Sequence, residues 1–170
     1  MRQHRHKLLG SLALLGLAIL SSCSQVTYER VIIDQRFSVE VPHYMEPQDN
    51  MHQDAPLQRG NVYESTYLIG RYDSLPEGET DLEAYYLNTF QQILPGVPVP
   101  YPDSIKIDDK LALHVQAAGS YSNRTLIYDL TLIQGETFLY QILSWTEQKA
   151  AADHLNDMRR IWQSFAELSR

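Results

Sequence analysis

The sequence has one cysteine, Cys23, so the chain cannot form an internal disulfide. Its fold must therefore be held together by packing alone. The apolar run Leu8–Leu20 has 13 residues, fewer than the ~20 that a membrane-spanning helix needs, and no second run is long enough. Internal repeats are also missing.

Positive charge is scarce, with 14 Lys and Arg residues against 21 Asp and Glu. Three of the basic residues precede Cys23, which leaves 11 basic against 21 acidic residues from there onward. An acidic surface repels nucleic acid and anionic lipid headgroups. No basic stretch is interleaved with aromatic residues, so we expect no nucleic-acid partner.

Catalytic motifs are missing as well, since neither G-x-S-x-G nor H-E-x-x-H occurs. His114, Ser120 and Asp129 have the residue types of a catalytic triad, but a chain of this length offers such a triple by chance. We therefore predict that the protein is not an enzyme, and we expect no cofactor.

The N-terminus has the organisation of an export signal. A basic head is followed by the apolar run, and the run ends in Leu20-Ser21-Ser22-Cys23. This box resembles the lipobox of bacterial lipoproteins, with Leu20, Ser21 and Ser22 as the recognition residues of the signal peptidase. The resemblance implies cleavage before Cys23 and a lipid anchor on its sulfur. The alternative is an ordinary secretory signal and a released chain.

The signal divides the chain into a cleaved leader (1–22), a short lipidated tether (23–29) and one domain (30–170). Two or three acyl chains are needed for stable anchoring to a bilayer. Ser24 stands where an Asp retains proteobacterial lipoproteins in the inner membrane. The resemblance therefore implies a protein of the cell envelope, on the periplasmic face of the outer membrane.

The domain is predicted to consist of strands, in which apolar and polar residues alternate, and two helices. A hairpin with its turn at Asp34-Gln35 is predicted from "RVIIDQRFSVEVP" (30–42). The polar stretch 43–60 predicts a loop, and the stretch 61–73 predicts a strand. Further strands are predicted from Ser104 to Trp145, with turns at 108–109, 122–123 and 134–135. The last two strands are apolar on both faces, which predicts central positions.

Two helical patterns complete the domain. The first starts at a capping box of Thr80 and Glu83 and ends at Pro95-Gly96. Its apolar stripe is Leu82, Tyr86, Phe90, Ile93 and Leu94. The second covers 147–168, with a stripe of Ala151, Leu155, Met158, Trp162 and Phe165.

This α+β order, an antiparallel sheet with two helices, resembles the PsbP/Mog1-like α/β/α sandwich, in particular DcrB-type lipoproteins. The matching stretches are "FSVEVP", "TDLEAYYLNTFQQIL", "IKIDDKLALHVQA" and "MRRIWQSF". The resemblance implies a non-catalytic domain that docks onto other proteins, and it assigns no functional residue. An NTF2-like cone is the alternative fold, although that fold usually begins with helices.

Three groups of residues are candidates for binding. His43, Met45, Met51 and His52 form a soft ligand set suited to copper, although a solvated loop is the simpler interpretation. Acidic residues around the first helix (Asp73, Glu77, Glu79, Asp81 and Glu83) could hold Ca²⁺, but they also suit a helix N-terminus. Tyr63 and Tyr67, predicted to share a strand face, and Tyr85 and Tyr86 could line an aromatic groove or fill a sheet–helix interface.

The sequence leads to two functional hypotheses. The first is an envelope lipoprotein that docks onto a protein partner. The second is a carrier of a small ligand or metal.

Overall fold

The computed structural model describes residues 26–75 and 81–168. The helices are α1 (Leu82–Ile93) and α2 (Ala151–Gln163), the latter preceded by a 3₁₀ turn (Gln148–Ala150). The strands are β1 (Tyr28–Ile33), β2 (Phe37–Pro42), β3 (Glu46–Pro47), β4 (Leu57–Asn61), β5 (Thr66–Ser74), β6 (Asp103–Ile107), β7 (Lys110–Tyr121), β8 (Arg124–Gln134), β9 (Phe138–Glu147) and β10 (Ala166–Glu167).

Seven strands form one antiparallel sheet in the order β3-β4-β5-β9-β8-β7-β6. Strands β6 to β9 are consecutive neighbours, as their short turns predict. The last strand of this meander, β9, also pairs with β5, which precedes it in the chain. The pairing covers nine residues, from Thr66 opposite Thr146 to Ser74 opposite Phe138. Strands β8 and β9 therefore lie inside the sheet, which confirms their predicted central position.

The two faces of this sheet carry separate cores. Helix α1 packs on one face through the buried residues Leu82, Tyr86, Phe90 and Leu94. On the other face, α2 packs beside a small sheet in which β2 pairs with β1 and β10. Phe37, Val39 and Val41 of β2 are fully buried there, as the alternation in "FSVEVP" predicts. These layers are those of an α/β/α sandwich.

Three of the four predicted tight turns are confirmed, whereas four residues (135–138) separate the paired parts of β8 and β9, in place of the predicted turn at 134–135. Asp34-Gln35, Asp108-Asp109 and Ser122-Asn123 all have positive φ angles. Two consecutive residues with positive φ form a type I′ turn, whose twist matches that of the two strands of a hairpin. Asp and Asn tolerate this backbone conformation.

Several boundaries differ from the prediction. Strand β1 begins at Tyr28, inside the predicted tether. The segment 43–60 is not simply a loop, since it contains β3 and most of β4, and 61–73 is not one strand, because a turn at 62–65 separates β4 from β5. The backbone N–H groups of Tyr63 and Glu64 in this turn donate to the side chain of Asn61.

The helix ends also differ. The N-cap of α1 is Asp81, whose carboxylate accepts from the N–H of Ala84 at 3.0 Å, so the predicted capping box is wrong. Thr80 lies outside the described residues. Helix α2 ends at Gln163, well before 168, because Phe165 packs against Phe37 and β10 then joins β2.

Candidate binding groove

Three aromatic side chains lie side by side on the α1 face of the large sheet, beyond the part that α1 covers. Tyr67 of β5 is directly opposite Trp145 of β9, and Trp145 is directly opposite Tyr128 of β8. Their rings are nearly parallel, with centroids 5.5 Å apart for Tyr67 and Trp145 and 6.5 Å apart for Tyr128 and Trp145. All three are only partly buried, so this row forms an accessible surface.

The row forms the floor of an open groove of about 400 Å³, the aromatic groove. Its apolar lining is completed by Met51, Ile69, Leu126 and Leu143. Tyr121 and Arg124 line it beside the β7–β8 turn, and both are largely exposed. Tyrosine, tryptophan and arginine are the residues most enriched at the energetic centres of protein interfaces.

One carboxylate lies at the end of the groove. Glu147 pairs with Lys149 at 2.7 Å and with Arg124 at 2.5 Å. The hydrogen bond from Lys149 lowers the pKa of Glu147 most, and the positive charges of Lys149 and Arg124 lower this pKa further below its ordinary value. The groove therefore ends in a compensated charge cluster, and its centre is apolar.

Of the four tyrosines predicted for an aromatic groove, only Tyr67 lines this one. Tyr63 lies in the β4–β5 turn, so it does not share a strand face with Tyr67. Tyr85 donates to Asp73, and Tyr86 is buried under α1, where its hydroxyl donates to the carbonyl of Pro100 at 2.7 Å. Tyr128 and Trp145 were missed because the β8–β9 loop is longer than the two-residue turn predicted at 134–135. Gln134 is opposite Leu139, and this register brings Tyr128 opposite Trp145.

The structure separates the candidate copper ligands. Met45 is buried in the core on the α2 side, whereas Met51 packs on the α1 side. His43 is exposed, and the Nδ1 atom of His52 accepts from the N–H of Asp54 at 3.2 Å. The four side chains therefore do not converge on one point.

The described part of the acidic group is held by local contacts. Asp73 pairs with Arg71 at 2.9 Å and accepts from Tyr85, and Asp81 caps α1. Glu77 and Glu79 lie outside the described residues. Across 26–75 and 81–168, no group of three His, Cys, Asp or Glu side chains is arranged to hold a metal ion.

Two members of the candidate triad do come together. His114 Nε2 lies 3.2 Å from the buried carboxylate of Asp129, which also accepts from Gln116 at 2.9 Å. The His114 ring packs on Trp162, with centroids 4.6 Å apart. Ser120 is six residues further along the same strand, about 20 Å away, and is therefore outside the reach of His114.

A buried polar cluster on the α2 side was not anticipated. Asp157 of α2 accepts hydrogen bonds from Tyr28, in β1, and from Tyr44 at 2.7 Å. The Tyr44 hydroxyl lies 3.2 Å from Nδ1 of His154, whose Nε2 is 3.5 Å from Glu64 in the β4–β5 turn. The cluster thus joins the first strand, the last helix and that turn.

Alkaline pH should weaken this cluster. Burial and the hydrogen bond to Asp157 raise the pKa of Tyr28 to about 12, and the same causes raise the pKa of Tyr44 further. An unfolded tyrosine loses its proton near pH 10, so the stabilisation is complete below about pH 10 and is lost as the pH rises through the folded values. We expect urea unfolding midpoints to fall between about pH 10 and about pH 12.

A double variant provides the control for this pH dependence. Tyr28→Phe with Tyr44→Phe removes both titrating groups, so its midpoint should fall distinctly less over the same interval. Equal losses in the variant and the unsubstituted protein would contradict the assignment.

The residues of the predicted lipoprotein signal, Leu20, Ser21, Ser22 and Cys23, lie outside the described residues. Neither of the helices described is long and apolar enough to cross a membrane.

Solved structures show the fold. LpqN, involved in cell envelope biogenesis of Mycobacterium tuberculosis, matches with a TM-score of 0.60 and 13% identity, over 85% of this chain and 92% of that one. Cyanobacterial PsbP (CyanoP) from Synechocystis sp. PCC 6803 matches with a TM-score of 0.60 and 10% identity, over 89% and 99%. A variant of Mog1 matches with a TM-score of 0.53 and 10% identity, over 85% and 97%.

The chain therefore has the predicted PsbP/Mog1-like α+β fold rather than an NTF2-like cone. No family model matches the sequence, and a comparison with curated proteins finds no match. At such low identities the likeness is one of fold, and a fold can carry many functions.

Proposed function

We propose that the protein is a non-catalytic lipoprotein of the cell envelope, anchored through an acylated Cys23 at the periplasmic face of the outer membrane. In this proposal it docks onto a protein partner through the aromatic groove. The observation that carries the proposal is the row of Tyr67, Trp145 and Tyr128, which the fold leaves uncovered.

The shape and composition of the groove favour a protein over a small ligand. Small-molecule sites usually enclose most of their ligand, whereas this groove is open along one side. A partner that presents an apolar side chain would place it on the Trp145 row, with Arg124 and Tyr121 at the edge. This arrangement of an apolar centre and a polar edge is typical of protein interfaces.

The groove has the volume of a small-molecule site, which keeps the carrier hypothesis as the second candidate. The absence of catalysis is also part of the proposal. It is supported by the distance of Ser120 from the His114–Asp129 pair.

Site-specific crosslinking in cells tests the docking. A photoreactive benzoylphenylalanine in place of Tyr128 should crosslink a partner protein, whereas the same group in place of Tyr101, a fully exposed tyrosine outside the groove, should not. The crosslinked protein is then purified, and its affinity for the full lipidated chain is measured. Trp145→Ala should weaken this affinity about thirtyfold, as expected for the loss of a central aromatic anchor.

The matched control is Tyr101→Ala, which should leave the affinity unchanged. Melting temperatures of both variants show whether the fold is preserved. Docking through the groove is disproved if Trp145→Ala binds like the control. A small molecule retained by the native protein in mass spectrometry, with no crosslink at Tyr128, would favour the carrier instead.

A further inference from the structure

One end of the seven-stranded sheet carries exposed apolar and aromatic side chains on two neighbouring turns. We call it the tether end; it consists of the β4–β5 turn (62–65), the β7–β8 turn with its flanking residues (121–124), and residues 147–149. The strand register brings them together, because Thr66 is opposite Thr146 and Leu126 is opposite Glu147.

Three large apolar or aromatic side chains at this end are strongly exposed, as are Ile32 and Tyr101 elsewhere on the domain. Val62 is 68% exposed, Tyr63 is 98% exposed and Tyr121 is 69% exposed. Tyrosine is enriched where proteins meet the headgroup region of a bilayer, since its ring is apolar and its hydroxyl is polar.

The beginning of the domain lies at the same end. Tyr28 is tied to Asp157, and the cluster continues through Tyr44 and His154 to Glu64 of the β4–β5 turn. Five peptide units separate Cys23 from Tyr28, a span of at most ~18 Å. A lipid on Cys23 therefore holds the tether end, and not the opposite end, close to the bilayer.

The two ends of the large sheet also differ in charge. Arg124 and Lys149 are exposed at the tether end, where they compensate Glu147; Glu64 is half exposed and lies beside His154. The opposite end carries exposed acidic residues on its three turns, Asp34, Asp108, Asp109 and Glu136. Two cations also lie there: Lys110 is paired with Glu167 and Asp108, and Arg36 stacks on Tyr72 and Phe138, so an acidic excess is kept. Anionic headgroups would repel the acidic end and tolerate the tether end.

We propose that the tether end is a membrane-contact surface, on which Val62, Tyr63 and Tyr121 sit in the headgroup region of a phospholipid bilayer. The inference rests on the lipid anchor of the proposed function and adds a fixed orientation to it. The acidic turns then point away from the membrane, and the aromatic groove opens beside the bilayer surface. A partner on the groove would therefore be bound close to the membrane.

Spin labelling of the full lipidated protein in vesicles of phosphatidylethanolamine and phosphatidylglycerol tests this orientation. Because lipid occupies the sulfur of Cys23, a nitroxide reagent reacts only with a new thiol, introduced by Tyr63→Cys or Tyr121→Cys. Glu136→Cys, on an exposed turn at the opposite end, is the matched control. For each label, the collision rate with oxygen, which concentrates in lipid, is compared with that of a water-soluble nickel chelate.

The oxygen-to-nickel ratio should be severalfold higher for the labels at 63 and 121 than for the label at 136. Equal ratios at the three positions, on protein that sediments with the vesicles, would overturn the membrane-contact surface and leave the anchor intact. Lipid-free protein that stays in the supernatant would overturn the anchor and the inference together. Neither result depends on the protein partner. A failure of docking onto that partner is detected separately, by the crosslinking experiment.

Discussion

Asp157→Ala should lower the free energy of unfolding by about 3 kcal/mol, because it leaves the hydroxyls of Tyr28 and Tyr44 without their acceptor. Asp157 is only 7% exposed, so little water is available to replace the carboxylate. The substitution also removes the hydrogen bonds that join β1 and the residues after β2 to Asp157 of α2. Urea unfolding followed by far-ultraviolet circular dichroism measures the effect.

Two further variants define the cause. Asp153→Ala removes an exposed carboxylate from the same helix and should change stability by no more than about 0.5 kcal/mol. Asp157→Asn keeps one acceptor oxygen and should fall between the two. If Asp157→Ala and Asp153→Ala are equally stable, the cluster contributes nothing to the fold.

Replacing Cys23 by Ser should abolish lipid attachment completely. A hydroxyl at this position is not a substrate for thioether formation, and the resemblance to lipoproteins makes cleavage conditional on that lipid. Cells grown with labelled palmitate should therefore incorporate no label into the Cys23→Ser chain, which should also keep residues 1–22. Mass spectrometry of the purified chain reads both changes at once.

Ser24→Ala is the neighbouring control and should be cleaved and labelled like the unsubstituted chain. The anchor is refuted if Cys23→Ser still carries palmitate, or if the mature unsubstituted protein has the mass of its bare polypeptide. This experiment is independent of the groove, since Cys23 precedes the domain that carries it.

The positions of most strands follow from local patterns. Two-residue turns such as Asp108-Asp109 and Ser122-Asn123 are recognisable because few residues accept positive φ, and alternation such as that of Phe37, Val39 and Val41 reports a buried face directly. The prediction failed where weak local signals compete with packing. The β4–β5 turn and the end of α2 are such places, because partners distant in sequence set both.

The candidate site depends on contacts that no local pattern contains. Tyr67 meets Trp145 only because β5 pairs with β9, a strand 78 residues further along the chain. The stripe predicted for α2 was apolar, yet its buried face includes His154 and Asp157, whose partners are in β1, the loop after β2 and the β4–β5 turn. Likewise, only the total charge of the chain follows from the sequence. Which charged residues lie at each end of the large sheet depends on how the strands pair.

Turn conformation and side-chain alternation depend on residues within two or three positions of one another, so most of the strands and both helices could be predicted from the amino acids alone. The PsbP/Mog1-like fold followed from the resemblance of their order to that family. The aromatic groove, the buried Asp157 cluster and the tether end required the folded chain. Each is assembled from segments far apart in sequence, and the packing of a whole core determines which of those segments meet.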